Sequence, residues 1–145
     1  MLIAISSSLH AKELESLKEF INRKPLFLSD KNDTEFVASR CSALYLVLSS
    51  RTEGSKSIEL QSVTKEYANR ADAYDQVREV MSKVTKSSNM QQKDFAKHYA
   101  DITLMNWKQY NDIFKGMVND DLDVCRNNYP HFKMLATNLS KEIKK

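Results

Sequence analysis

Phe36-Val-Ala-Ser-Arg-Cys-Ser-Ala-Leu-Tyr-Leu-Val-Leu48 is the stretch whose reading decides the fold. At about 100° per residue a helix places Val37, Cys41, Leu44 and Leu48 within a wedge of roughly 60°, and Phe36, Tyr45 and Val47 widen the apolar surface to either side. Only a narrow polar arc remains, made of Glu35, Ser39, Ser42, Ser49 and Ser50. An outer helix of a bundle needs one apolar stripe. A helix apolar over most of its circumference is therefore expected at the centre, wrapped by the others.

Working outward, this central helix is expected over residues 33–51, capped by Asn32 or Asp33 with Glu35 in the capping-box position, and stopped near Gly54. Before it, Leu14, Leu17, Phe20 and Ile21 recur at helical spacing within 12–24, and Pro25 ends that run. The connector 26–32 carries large apolar residues expected to tuck under the bundle. After it, residues 56–86 form a long amphipathic pattern through Leu60, Val63, Tyr67, Ala71, Tyr74, Val77, Met81 and Val84, with Ser87-Ser88-Asn89 as a break and cap. A fourth helix is expected from Met90 to Lys115. A short one follows over 119–126, and Pro130 starts a last helix carrying Phe132, Leu135, Ala136 and Leu139. The fold expected is all-α, an antiparallel bundle of four to five helices with a single core. With only 2 Gly and 2 Pro among 145 residues, the hairpin turns of a many-stranded sheet cannot be built.

Residues 1–11 pass from an apolar start, Met-Leu-Ile-Ala-Ile, through small residues to Ala11, then change abruptly to the charged run Lys12-Glu-Leu-Glu15. That junction has the form of a truncated signal-peptide remnant, leaving 12–145 as one helical domain. Cys41 and Cys125, 84 positions apart, lean the same way. In an exporting compartment they form a disulfide; in the cytosol they are two buried thiols. No Cys-x-x-Cys or zinc-type spacing exists. The 22 basic and 19 acidic residues give +3, scattered rather than gathered, so no nucleic-acid face is expected. No apolar run reaches the roughly 20 residues of a transmembrane helix.

Catalysis needs converging titratable groups, and the three histidines do not supply them. Asp94 and Asp101 flank His98 at one-turn spacing, a candidate metal set, but no second such element accompanies it as a di-iron bundle would require. The acids Asp120, Asp121 and Asp123 read as a helix start rather than a calcium loop. Neither an enzyme nor a cofactor is expected. Polar residues inside apolar stripes are the better candidates for binding. Arg70 with Tyr67, Tyr74 and Asn106 would line a pocket between helices, the arginine holding an anion; alternatively Glu66 pairs with Arg70 at the surface. Leu104 and Trp107 lie beyond the buried arc of the fourth helix and are candidates for a partner surface; alternatively a terminal helix folds over them.

The function expected is that of a small, exported protein, periplasmic or secreted, stapled by Cys41 and Cys125, that binds an unknown protein or small ligand without catalysis. The alternative is a cytoplasmic or virion-associated structural protein with reduced cysteines and a self-associating face. Neither the partner nor the oligomeric state is encoded in any motif.

Overall fold

The computed structural model describes residues 15–54, 57–86 and 90–143. The expected signal remnant, the start of the first helical run and the Ser87-Ser88-Asn89 break lie outside these. Among the described residues there are five α-helices: α1 Leu17–Arg23, α2 Lys31–Thr52, α3 Ile58–Thr85, α4 Met90–Tyr110 and α5 Met117–Ile143, with a 3-10 turn Phe27–Ser29 before α2. None is long and apolar enough to cross a membrane.

α2 is the spine. Of its 22 residues 14 are buried, on every side of the helix, which only a helix wrapped by others can achieve. Its N-cap is Asp30, upstream of the expected Asn32 or Asp33, with the Asp30 carboxylate accepting from the Asp33 backbone N–H at 3.0 Å. Three residues of the expected polar arc, Glu35, Ser39 and Ser42, are also buried, while Ser49 is half-buried and Ser50 exposed. Glu35 accepts from the Thr85 hydroxyl, and Ser42 donates to the Ala71 carbonyl while accepting from the Gln92 amide. The tight packing of three elements on α2 thus turns its small polar residues into cross-helix ties.

Ser42 meets Ala71 and Ser49 meets Thr64, so α3 runs antiparallel to α2. Phe36 meets Phe95 and Arg40 meets Tyr99, so α4 runs parallel to it. α5 lies along α3, Arg70 over Tyr129 and Gln76 against Ser140, completing an up-down-up-down bundle around one apolar cluster. α4 rests on α2 and hardly touches α3 or α5. In the 26–32 connector only Phe27 is buried; Leu26 and Leu28 remain exposed.

Two boundaries differ from expectation. α4 stops at Tyr110 rather than Lys115, because Asn111 takes a left-handed conformation (φ 54°) and polar turn chemistry takes over. Asp112 accepts from the Phe114 N–H at 2.8 Å, and the Asn106 amide donates to the carbonyls of Ile113 and Lys115. The expected pair of C-terminal helices is one helix, α5, with Pro130 inside it. Leu122, Cys125, Phe132 and Ala136 are buried and repeat at steps of three and four with Tyr129, so a single stripe continues through the proline. Pro130 is exposed and removes only the N–H that would reach the carbonyl of Arg126, itself on the solvent side. Burial of the stripe outweighs the roughly 3 kcal/mol such a proline costs. Pro130→Ala is accordingly expected to stabilise the fold by about 2 kcal/mol after the loss of proline's unfolded-state benefit, read as a raised urea midpoint. An unchanged or lowered midpoint would contradict this account.

Candidate functional site

Two surface grooves and one closed polar cluster hold most of the candidate side chains. The first groove opens where α3 and α4 fail to meet. Its floor is the end of α2, at Arg51 and Thr52, with Thr103 of α4. Leu60 of α3 forms one wall, Leu104 and Trp107 of α4 the other, and Ile113 and Phe114 close the end; the cavity measures about 630 Å³. Arg51 is held against the floor, donating to the Thr103 hydroxyl at 3.2 Å and the Ala100 carbonyl at 2.9 Å. Trp107 is 54% exposed and Leu104 42%. Both candidates for a partner surface therefore stand in one groove, because a helix packed on a single neighbour leaves its outer arc in solvent. The α4 turn chemistry adds Ile113 and Phe114, which a helix running on to Lys115 would not have placed there.

The second groove lies between α3 and α5. It is lined by Ser62, Lys65, Glu66, Asn69, Arg70 and Tyr129, with a cavity of about 280 Å³. The pocket expected from Arg70, Tyr67, Tyr74 and Asn106 is divided: only Arg70 lines this groove, and Tyr67 packs half-buried on the Tyr45 ring. Tyr74 is wholly buried and donates its hydroxyl to the Cys125 carbonyl at 2.5 Å. Asn106, near the end of α4, is spent on the turn that follows the helix. The surface pair with Glu66 exists, at 2.5 Å, and Arg70 makes more contacts than that. Its guanidinium lies between two rings, 4.6 Å from the Tyr129 centroid and 5.7 Å from that of Tyr45, and donates to the Tyr45 hydroxyl at 3.0 Å.

The third cluster is closed. Arg40, Tyr99 and Asp121 are each wholly buried. Arg40 donates through Nε to the Tyr99 hydroxyl (2.8 Å) and through Nη2 to Asp121 Oδ2 (2.6 Å), and the Tyr99 hydroxyl donates to the same oxygen (2.5 Å). The remaining capacity goes to the backbone. Arg40 Nη1 donates to the Glu15 carbonyl, and Asp121 Oδ1 accepts from the Leu17 N–H at 2.7 Å, fastening the start of α1 to α5. The rings of Phe95, Tyr99 and Phe36 surround the guanidinium at 5.4–5.7 Å. Burial lowers the proton affinity of Arg40, but its interactions with the Tyr99 hydroxyl and the Asp121 carboxylate more than reverse this, so the ion pair persists. The cluster is not legible in the sequence, where Asp121 reads as a helix-start acid and Arg40 stands in an apolar run with no acid one helical turn away.

Cys41 and Cys125 stand between α2 and α5 at disulfide distance, S–S 2.08 Å and Cα–Cα 5.5 Å, both wholly buried. Asp94 and Asp101 are exposed and His98 half-buried, and no three His, Cys, Asp or Glu side chains among the described residues are placed to hold a metal.

No protein-family model, curated protein or solved structure matches the chain. Its geometry must carry the functional reading.

Burial raises the proton affinity of Tyr99 and Tyr74 strongly, and that of Tyr45 and Tyr67 to a smaller extent, Arg70 and Arg126 working against burial at the latter two. An unfolded tyrosine ionises near pH 10. Above that pH the unfolded chain sheds protons that the native chain retains, so the stability these groups contribute below pH 10 is lost as pH rises toward their native values. Stability is expected to fall above pH 10 by at most about 1.4 kcal/mol per pH unit per buried tyrosine. Absorbance at 295 nm should show fewer than the full 6 tyrosines ionising before the chain unfolds. Normal titration of all of them in the native state would contradict it.

Proposed function

We propose that this is an exported, disulfide-stapled, non-catalytic protein that binds an apolar segment of a partner polypeptide in the Leu104–Trp107 groove. The observation that carries the reading is the exposure of Trp107 beside Leu104, Ile113 and Phe114 in a cavity with helical walls. A large amphipathic ring in a concave apolar setting is the commonest anchor of protein interfaces. A helix laid on α2 between α3 and α4 would fill the seam those two leave open, the helix-in-groove mode of recognition. Export is supported by the cysteine pair at bonding distance, since such bonds persist in oxidising compartments, and by the signal-like pattern of residues 1–11.

The test places a photo-crosslinking residue at Leu104 and, as a control, at exposed Glu79 on α3, in the source cells. A discrete adduct at position 104, lost with Trp107→Ala and not formed from position 79, is the expected result. No adduct from position 104, or equal adducts from both, would refute the groove as the binding face. Cell fractionation with thiol labelling tests export separately; recovery only in the cytosol with both thiols labelled would end that part of the reading.

A further inference from the structure

We propose that the Arg70 groove is a binding site for a small hydroxylated carboxylate, such as a sugar acid, with the Glu66 carboxylate occupying the guanidinium edge that the ligand takes. This site is on the α3–α5 seam, separate from the Trp107 groove, and does not rest on it.

Four features argue for it. The guanidinium is fixed rather than snorkelled, held between Tyr45 and Tyr129 and oriented by the hydrogen bond to the Tyr45 hydroxyl. A fork preorganised in this way loses little entropy when it grips a carboxylate. Its side chain is only 19% exposed, and what is exposed already holds a carboxylate, that of Glu66, whose own side chain is 54% exposed. A solvated carboxylate four residues along the same helix is a weak competitor, because an exposed i,i+4 pair favours its paired form only about twofold. Third, with Nε buried and closed to solvent, the guanidinium presents only its Nη edge to the groove, the edge that Glu66 now holds. Fourth, the rest of the lining suits the body of such a ligand: the Ser62 hydroxyl and Asn69 amide for its hydroxyls, Lys65 for a second interaction with its charge. A bidentate carboxylate on arginine, with flanking hydroxyl contacts, is the recognition this set of groups performs best.

The probe is D-galacturonate, with D-galactose as the matched ring lacking the carboxylate, titrated into the full chain at low salt and followed by amide chemical shifts. Galacturonate is expected to bind with a Kd on the order of 1 mM and to shift amides of 62–70 and Tyr129, while galactose does not. Glu66→Gln removes the competing carboxylate and is expected to tighten binding by about 2-fold. Arg70→Gln and Arg70→Lys are expected to weaken it at least about tenfold, the lysine because a point charge cannot reproduce the fork. Should the arginine variants unfold, Glu66→Gln decides alone, since Glu66 is exposed. Equal shifts from the two sugars, absence of binding, or a Glu66→Gln affinity no tighter than that of the natural chain would overturn the site.

Discussion

Asp121→Ala is expected to cost about 3–5 kcal/mol of unfolding free energy, the penalty for leaving a buried guanidinium without its counter-charge. Arg40 cannot escape to solvent, being wholly buried beneath Phe36, Phe95 and Tyr99, and its nearest alternative acceptor, the Glu15 carbonyl, is already in use. The same substitution removes the acceptor for the Leu17 N–H, so α1 should loosen first, seen as loss of hydrogen-exchange protection at its amides. The pair is not expected to be a net source of stability over an apolar core. Arg40→Met combined with Asp121→Leu should recover much of the loss, since burying two charges costs as much as their attraction returns. Urea unfolding of the two single variants and the double one measures this. Single variants within about 1 kcal/mol of the natural chain would show that the cluster is not closed as described.

Breaking the Cys41–Cys125 link is expected to have an effect of similar size. A bond across 84 residues stabilises by about 4.5 kcal/mol in the chain-entropy model. Cys125→Ala, which preserves a small apolar group in the core, should lower the urea midpoint accordingly, and reductant should do the same to the natural chain. Because both sulfurs are wholly buried, reductant alone should act slowly and speed up on adding denaturant, the rate following the opening of α5 from α2. The unreduced chain should be lighter than the reduced one by two hydrogens. Equal masses, or a midpoint indifferent to reductant, would remove both the staple and the main support for export.

The central helix was legible because its signal is local. Side chains from Val37 to Leu48 are apolar on nearly every side, and burying them excludes water from all of the stretch but Leu46. The stripe of α5 and the middle of that of α3, Ala71, Tyr74 and Val77, were legible for the same reason, as was the position of Leu104 and Trp107 outside the buried arc of α4; the ends of the α3 stripe, Leu60 and Val84, are exposed. The Cys41–Cys125 pairing was readable by elimination, there being no other cysteines. Helix ends fared worse. Pro130 and Asn111 each carry a local preference, and which preference prevails depends on whether the stripe beyond is buried.

What the chain determined by itself is therefore the helical class, the central element, the single cysteine pair and the outward arc of α4. Only the tertiary structure decided that Arg40 is a core residue, because its partners lie 59 and 81 positions away and no periodicity links them. It also decided that Tyr74 serves the core while Arg70 serves a groove, and that Leu104 and Trp107 face a cavity rather than open solvent. Burial of a charge, and the opening of a seam between helices, are properties of what the rest of the chain brings alongside. Local pattern reports the side chain's own preference, and at these positions the neighbours outweigh it.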